Sequence, residues 1–318
     1  MRRTVVPQLA TAEAAAPRWQ PWRTPADVAA LARRARRREA AGRAATYTAL
    51  ALLSLPILIP YAWLVAAAFS QRVSYGLLPS GFTLQNWRFL WVANLGFVTG
   101  TTGRLPNIWQ VVWNSLVLAA GTTIIVVVVA TLAGYLVSRH DFRRRATFLK
   151  GALMLQAFPG ITLLVALFIL LRTLNLLNSV AGVILVIASL HLPFALFVMK
   201  GFFDGIPWDV EMSALIDGAS RLRAWYAVLL PQVRNGMGAI AMFSFLWGWT
   251  DYIFVLTFIL RRSSWTMALY LNAIIGEYRF VDYGLMAAVG VFYMIPSLLF
   301  FLFTQKHLMQ LTLGGTKA

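Results

Sequence analysis

Residues able to carry chemistry are few and scattered in this sequence of 318 residues. It contains no cysteine, which excludes disulfides, thiolate metal sites and cysteine nucleophiles. The three histidines, His140, His191 and His307, lack the spacing of a metal site. No lysine follows a glycine, so a Walker-type phosphate loop is excluded. We therefore expect no catalytic residue, no metal site and no cofactor in this chain.

Ionisable residues are also rare inside the apolar blocks of the sequence. Asp251 is the only carboxylate well inside a block, and Asp282 lies at the edge of another. Carriers driven by protons or sodium ions generally use buried carboxylates or ion sites in broken helices. If this chain transports a solute, its energy is therefore expected to come from another protein. His191, close to Pro193, is interpreted as a helix-packing residue rather than a ligand site.

The composition is that of a membrane protein, with 59% hydrophobic and 12% charged residues. Crossing a bilayer takes about 20 consecutive, mostly apolar residues, and the sequence has six blocks of that kind. We predict an all-α integral membrane fold with six transmembrane helices. The predicted spans are Thr46–Phe69, Trp109–Val137, Phe148–Leu171, Val180–Met199, Gly236–Leu260 and Asp282–Phe303.

The distribution of lysine and arginine predicts the orientation of these spans. If both termini are cytoplasmic, 21 of the 28 basic residues fall in inner segments and 7 in outer ones. Cytoplasmic loops of membrane proteins carry such an excess. The net charge of +17 is thus explained by orientation, and nucleic acid is not expected as a partner.

The first 45 residues form a basic arm, and residues 46–318 form the predicted six-helix domain. Thr24-Pro25-Ala26-Asp27 is typical of a helix start, and alanines and arginines follow as far as Arg43. One interpretation is a basic helix that lies on anionic lipid headgroups. The other is a poorly ordered arm whose arginines hold the N-terminus inside.

The segment 200–234, between the fourth and fifth predicted spans, contains signals for two short cytoplasmic helices. Pro207 suits the first turn of a helix, and Asp209 and Glu211 are favoured near its positive end. Gly218 suits the end of that helix. A first short helix is therefore predicted between Pro207 and Gly218.

Ser220 can cap a second helix, which we expect to stop before Pro231. Met212, Leu215 and Ile216 give the first helix an apolar surface. Apolar surface exposed to water in this way commonly binds another protein. The segment is therefore predicted to contact a cytoplasmic partner.

This segment resembles the EAA motif of binding-protein-dependent ABC importer permeases. The motif reads Glu-Ala-Ala, three residues, Gly, nine residues, Ile, one residue and Leu-Pro. With Gly218 at the motif glycine, Val228 falls on the Ile and Leu230-Pro231 on the Leu-Pro. Met212-Ser213-Ala214 departs from Glu-Ala-Ala, and Glu211 lies one residue earlier.

Further fragments are similar to the maltose-type carbohydrate permeases and occur in the same order, so that the resemblance covers about Tyr47 to Lys317. These fragments are Trp113-Asn114-Ser115, Ala133-Gly134-Tyr135, Ser138-Arg139, Phe158-Pro159, Leu176-Leu177-Asn178-Ser179, Gly201-Phe202-Phe203 and Leu311-Thr312-Leu313-Gly314-Gly315.

The resemblance implies a type I permease subunit of an ATP-driven importer for sugars or sugar derivatives, in the bacterial cytoplasmic (inner) membrane. It implies three kinds of partner: a second homologous permease, two ATPase subunits that bind ATP and Mg, and an extracytoplasmic substrate-binding protein. An ABC permease for another solute, such as a polyol-phosphate or a peptide, and a secondary carrier remain alternatives.

By the same resemblance, ATPase coupling falls to residues of the loop: Glu211, Met212, Ser213, Ala214, Asp217, Gly218, Ala219, Leu230 and Pro231. Asp217 and Gly218 have a local alternative, in which they serve only the turn that ends the helix. The tail with Gly314-Gly315 corresponds to the family segment that approaches the ATPases, or it is a frayed end.

Two further sets of residues are candidates on the substrate side. Trp247, Trp249, Asp251 and Tyr252 are candidates for the substrate path, because aromatic faces stack on sugars and a carboxylate accepts hydroxyl donors. The alternative is an aromatic belt in which Asp251 caps a helix. By resemblance, Trp265, Tyr270 and Tyr278, in the loop Arg261–Asp282, are candidates for contact with the binding protein.

Overall fold

The structure is a computed structural model that describes residues 25–74, 78–92, 105–275 and 282–313. Most described residues are helical, as predicted. The helices are α1 (Pro25–Ala68), α2 (Ile108–Arg139), α3 (Arg145–Gln156), α4 (Leu164–Thr173), α5 (Val180–Asp204), α6 (Trp208–Ile216), α7 (Arg221–Ala224), α8 (Leu230–Gln232), α9 (Arg234–Thr250), α10 (Ile253–Phe258), α11 (Met267–Ile275) and α12 (Tyr283–Leu313).

A small hairpin departs from the predicted all-α fold. Strands β1 (Ser70–Ser74) and β2 (Leu78–Phe82) pair antiparallel, with Ser70 opposite Phe82. The rings of Phe69 and Phe82 stack with centroids 6.0 Å apart. The Asn86 side-chain amide donates to the carbonyls of Ala68 (3.2 Å) and Ser70 (2.8 Å), so that one side chain fixes the chain where α1 gives way to β1.

The described residues belong to two compact units, one ending at Tyr61 and the other beginning at Ala62. In the first unit, α1 begins at Pro25, as the Thr-Pro-Ala-Asp pattern predicts, and continues without a break past residue 45. From Pro25 onward the structure therefore has a helix rather than a poorly ordered arm. Residues 1–24 lie outside the described residues.

In the second unit, α2 is the central helix. It packs along α5 and α9, and α9 also packs against α12. Small or apolar residues of α2 are fully buried at regular helical spacing, including Val111, Leu118, Val126 and Ala130. The core therefore runs along α2, which supports both α5 and α9.

Four described helices are long and apolar enough to cross a membrane. They are Arg36–Ala68, Ile108–Arg139, Val180–Asp204 and Tyr283–Gln305. A fifth candidate is a broken span, Arg145–Gln156 with Gly160–Thr173, whose halves meet at 90°. The described helices thus give four or five candidates where the sequence predicted six.

The predicted third and fifth spans are not continuous helices, which corrects two of the six predictions. The third breaks around Pro159, which has extended backbone (ψ 124°) and precedes a short 3-10 turn. The fifth breaks at Asp251, whose backbone is also extended (ψ 125°), and the chain resumes as α10. Both breaks border the same cavity, described below.

Candidate functional site

The segment that resembles the EAA motif forms a helix–turn–helix, and its first helix is as predicted. Pro207 immediately precedes α6, and Asp209 and Glu211 lie in the first turn. Acidic side chains there complement the positive end of the helix. The helix ends at Ile216, and the chain turns at Gly218.

The turn after α6 is a Schellman motif. The N–H of Ala219 donates to the carbonyl of Ala214 (3.0 Å), and that of Gly218 donates to Leu215 (3.1 Å). Gly218 has a φ of +85°, a left-handed conformation that costs little only for glycine. The local role of Gly218 in ending the helix is therefore present in the structure, whatever contacts the motif makes elsewhere.

The second helical part begins as predicted and ends differently. The Ser220 hydroxyl accepts from the N–H of Arg223 (3.3 Å) and so caps α7. The helical conformation does not end before Pro231. A π-turn, Trp225–Leu229, leads directly into α8, which contains Pro231. Proline clashes with the carbonyl four residues earlier in a regular α-helix, and the wider π-turn relieves this. Leu230 is half-buried beside this turn, and Pro231 is exposed.

Glu211 points into the protein rather than away from it. Its side chain is 3% exposed, and its Oε2 lies 3.1 Å from Nε of Arg139, which is 6% exposed. Its Oε1 accepts from the Tyr135 hydroxyl at 2.8 Å. We call Tyr135, Arg139 and Glu211 the buried node. In this conformation the Glu211 carboxylate is already paired inside the protein, so it is not positioned for the expected polar contact with an ATPase.

The remaining motif residues of α6 divide between its two faces. Met212 lines a small cavity of about 260 Å³ beside Arg139 and His140. The Ser213 hydroxyl donates to the carbonyl of Asp209 (2.8 Å) within the helix. Of the three apolar residues predicted to face outward, only Ile216 does so, with 85% exposure at the end of the helix, whereas Met212 and Leu215 are half-buried beside the small cavity.

The second region is a cavity of about 680 Å³ at the two helix breaks. Residues of the third-span break, including Pro159, line one side, and the end of α9 lines the other. Three of the four predicted path residues lie on its wall: Trp247, Asp251 and Tyr252. His191, Gln156 and Thr250 add further polar groups to its lining.

The polar groups of this cavity are only partly satisfied by the protein. Asp251 Oδ1 accepts from the N–H groups of Phe254 (3.0 Å) and Val255 (3.3 Å), which caps α10, as one alternative predicted. Among the described residues none donates to Oδ2 of Asp251 or pairs with its charge. One carboxylate oxygen is therefore left for a ligand or water.

Aromatic rings form the apolar wall of the cavity. The His191 ring stacks on Trp247 with centroids 3.8 Å apart and planes 9° from parallel. Phe194 meets Trp247 edge-on at 5.6 Å. The Tyr252 hydroxyl donates to Oδ1 of Asn272 (2.9 Å), so that Tyr252 is tied to α11. Flat apolar faces beside hydrogen-bonding groups suit the two kinds of surface of a sugar ring.

Trp249 is not on this cavity, unlike its sequence neighbours in the predicted path. Its side chain is 1% exposed, and its indole N–H donates to the carbonyl of Tyr293 (3.1 Å) on α12. Successive helix residues differ by 100° in direction, so residues 247 and 249 face different neighbours. Trp249 therefore packs α9 against α12.

The loop Arg261–Asp282 carries the residues predicted to contact a binding protein. Trp265 is half-buried, with the Arg262 guanidinium 5.7 Å from its ring centroid. Tyr270 is only 1% exposed, because α11 turns it into the core, so it offers no outer surface. Tyr278, and Gly314-Gly315 of the tail, lie outside the described residues.

Comparison with known proteins places this geometry in a family. No protein-family model matches the chain. The diacetylchitobiose uptake system permease protein NgcG of Streptomyces coelicolor is 30% identical over 291 residues, which cover 90% of this chain and 92% of the relative. A probable ABC transporter permease protein of Pyrococcus horikoshii is 34% identical over 61% of this chain and 70% of the relative. The chain belongs to the ABC transporter permeases.

One further relative and one solved structure match most of this permease. The trehalose transport system permease protein SugB of Mycobacterium tuberculosis is 29% identical over 86% of the permease and 98% of the relative. A chain of a bacterial ABC transporter that imports the acidic polysaccharide alginate superposes with a TM-score of 0.69 at 18% identity, covering 85% of the permease and 97% of that chain. The predicted importer-permease fold is thereby confirmed.

Some residues of both regions were not predicted from the sequence of the permease. Arg139 and Tyr135 carry only the family resemblance there, although an arginine four residues after a tyrosine at the end of an apolar helix is itself a signal for a polar contact. His191 was interpreted as a packing residue, and it lines the cavity. An imidazole in an otherwise apolar helix was the available signal.

Proposed function

We propose that this permease forms part of the translocation path of an ATP-driven importer for sugars or sugar derivatives. It acts with a second homologous permease, two ATPase subunits that bind ATP and Mg, and an extracytoplasmic binding protein, in a bacterial cytoplasmic membrane. The names of relatives that act on diacetylchitobiose and trehalose support the substrate class.

The observation that carries the proposal is the two-faced geometry of α6. One face is held inside by Glu211, and the end of the helix presents Ile216 outward. Leu222, after the turn, is also largely exposed. Two apolar side chains on a projecting helical turn are suited to a groove on another protein. In an ABC permease, the partner that must receive such a turn is the ATPase.

The cavity supports a hydroxylated substrate. It combines an aromatic wall with a carboxylate oxygen that no described residue occupies. Asp251, Trp247 and His191 are proposed to contact the sugar, and Tyr252 to hold the outer side of the cavity through Asn272. Carboxylates accept two hydroxyl donors, and sugar C–H faces stack on indole rings.

The proposed topology has six spans with both termini in the cytoplasm. The bent pair α3–α4 and the interrupted pair α9–α10 are each taken as one span, because irregular backbone at membrane depth is tolerated beside a cavity. The excess of basic residues in the inner segments supports the orientation.

The absence of cysteine makes this topology directly testable by single-cysteine labelling. A membrane-impermeant maleimide applied to intact cells or right-side-out vesicles is expected to label Ser263→Cys, in the outer loop. Asp217→Cys, in the turn after α6, should react only after the membrane is opened. The reverse pattern would overturn the orientation.

The function itself is tested in proteoliposomes that contain the complete transporter. Uptake of diacetylchitobiose and of trehalose is measured with internal ATP and with the binding protein outside. Gly218→Val is the test variant, because valine strongly disfavours a φ of +85°. Gly201→Ala is the matched control, since a methyl group there meets no atom within 4 Å.

Wild type and Gly201→Ala are expected to take up sugar only with ATP, and Gly218→Val to lose uptake while the complex still assembles. Uptake by the permease without any ATPase would overturn the proposal in favour of a secondary carrier. ATP-dependent uptake of glycerol 3-phosphate but of neither sugar would overturn only the substrate class.

A further inference from the structure

We propose that Arg139 and Tyr135 are positioning residues of the transporter, which lock the orientation of α6 through Glu211 so that α6 and the cytoplasmic end of α2 move as one body. The inference rests on the proposed function, because it concerns how a movement of α6 reaches the membrane helices. It assigns a role to Tyr135 and Arg139, which neither the motif nor the cavity uses.

One hydrogen bond and one ion pair hold the three side chains together inside the protein. The Tyr135 hydroxyl donates to Oε1 of Glu211 at 2.8 Å, and Arg139 Nε lies 3.1 Å from Oε2 as a charge pair without hydrogen-bond geometry. Arg139 also donates through Nη2 to the carbonyl of Ile206 at 2.9 Å, just before α6 begins. The guanidinium therefore holds both α6 and the chain that leads into it.

Burial makes this contact stiff. Exposed ion pairs exchange with water at little cost, but a buried pair cannot separate without leaving a charge unpaired in an apolar surrounding. Arg139 and Glu211 are 6% and 3% exposed. The Trp208 ring, on the first turn of α6, lies 5.3 Å from the Arg139 guanidinium carbon and covers it from water.

Aromatic contacts extend the node to the second half of the loop. The Tyr135 ring meets Phe203 at 5.7 Å and Trp225 at 6.4 Å between centroids. Phe203 lies on α5, and Trp225 begins the π-turn after α7. One tyrosine of α2 thus touches the elements before and after α6.

The end of α2 is in turn fixed to α5. A Cβ added at Gly134 would lie 2.8 Å from the Cβ of Met199 and 3.0 Å from the backbone nitrogen of Lys200, so the two helices are nearly in backbone contact. The Ser138 hydroxyl donates to Asp204 (2.7 Å), which also pairs with Lys200. A displacement of α6 therefore acts on α2 and α5 together.

The position of the Glu211 carboxylate distinguishes a positioning role from a direct contact. Both of its oxygens face α2, and the outward end of α6 is occupied by Ile216. A direct contact with an ATPase would require Glu211 to leave Arg139. Under the positioning role, neutralising Arg139 has the same effect as neutralising Glu211.

The test measures the distance between α6 and α2 in the complete transporter. Because the permease has no cysteine, spin labels at Leu136→Cys and Asp209→Cys report this distance when the partner subunits are made cysteine-free. Both positions are exposed, and Asp209 lies in the first turn of α6, away from Ile216. Distributions are recorded in nanodiscs without nucleotide and after trapping with Mg-ATP and orthovanadate.

The labelled protein with the node intact is expected to give one narrow distribution that is the same in both states. Tyr135→Phe should broaden it slightly, and Arg139→Gln and Glu211→Gln should broaden it strongly. The double variant Arg139→Gln/Glu211→Gln leaves no unpaired charge. It should broaden the distribution by less than the two single variants do when their effects are added. Arg145→Gln is the matched control, because its partner Asp141 is exposed.

The second readout is sugar transported per ATP hydrolysed, which a role in folding alone would not change in complexes that have assembled. We expect Arg139→Gln and Glu211→Gln each to lower this ratio about tenfold, a typical size for coupling between sites. Arg139→Lys, which retains the charge, should restore part of it.

Two results would overturn the inference. One is a distance that changes on vanadate trapping with the node intact, since α6 and α2 would then move separately. The other is a ratio of sugar to ATP that is lowered in Glu211→Gln but unchanged in Arg139→Gln, since Glu211 would then act without Arg139. The distance measurement does not depend on the sugar, so the proposed function fails separately, through absence of ATP-dependent uptake in wild type.

Discussion

The buried node and the cavity both place a carboxylate in a largely apolar surrounding, but they treat its charge in opposite ways. Glu211 accepts a hydrogen bond from Tyr135 through Oε1, and its charge is paired with Arg139, whose Nε lies 3.1 Å from Oε2. Asp251 has one oxygen that accepts from backbone N–H groups and one that accepts no hydrogen bond from a described residue. The node thus maintains a fixed geometry, whereas the cavity retains a hydrogen-bond acceptor for a ligand that binds and is released.

The largest effect is expected from removing one half of the node. Arg139→Leu leaves the Glu211 charge buried and unpaired, which typically costs about 3–5 kcal/mol. The thermal midpoint of the detergent-solubilised complex should fall accordingly. Arg139→Leu/Glu211→Leu should recover most of the loss, because apolar pairs replace buried ion pairs well. Arg145→Leu, in an exposed pair, should cost about 0–1 kcal/mol. Equal losses of thermal stability in the two single variants and the double variant would contradict the distinction between buried and exposed pairs.

The corresponding change in the cavity should affect transport rather than stability. Asp251→Asn keeps the oxygen that caps α10 and removes the charge. A hydrogen bond to a charged group contributes about 1.5–3 kcal/mol, so sugar uptake at subsaturating concentration should fall at least about tenfold. Asp282→Asn is the control away from the cavity, since Asp282 also caps a helix, α12, and otherwise takes part only in a long, partly exposed ion pair with Arg88. Unchanged uptake in Asp251→Asn would leave Asp251 as a helix cap only.

The close packing of α2 against α5 beneath the node is tested by adding a side chain at Gly134, where there is no room for one. The added side chain in Gly134→Val would collide with Met199 and the backbone of Lys200, and such overpacking costs about 1–3 kcal/mol. Thermal unfolding of the purified complex measures this. Gly151→Val adds the same atoms where no atom lies within 4 Å of an added Cβ, and a similar loss there would point to helix propensity instead.

The smallest effect is expected at the cap after the Schellman turn. Ser220→Ala leaves the N–H of Arg223 without its acceptor, and the loss of such a cap costs about 0.5–2 kcal/mol. Hydrogen exchange of the amides of α7 should accelerate while that of α2 stays unchanged. Ser213→Ala, whose hydroxyl only donates to a carbonyl of its own helix, should change neither.

Local signals predicted the parts of the site that depend on neighbours in sequence. The start of α6 after Pro207, the turn at Gly218 and the cap at Ser220 all follow from the preferences of single residue types. The uninterrupted apolar blocks of α2 and α5 likewise predicted long helices. These features need only backbone geometry, which nearby residues determine.

The parts that could not be predicted depend on contacts between distant residues. Tyr135 and Glu211 are 76 positions apart, and nothing in either neighbourhood specifies the other. Proline can be tolerated within a membrane helix or can break it, and packing around Pro159 decides which. Tyr270 and Trp249 were expected to be accessible because aromatic residues suit interfaces, but neighbouring helices bury them.

The right-angled break of the proposed third span has a consequence for hydration. Backbone groups at membrane depth that have left a helix must be solvated by other protein or by water, because lipid tails cannot hydrogen-bond to them. The break at Pro159 borders the cavity, so water is expected to reach it there and to follow the inner wall of the permease well into the bilayer. The barrier against leakage of small ions must then lie on one side of this wet zone, and the transport cycle would shift that barrier from one side to the other.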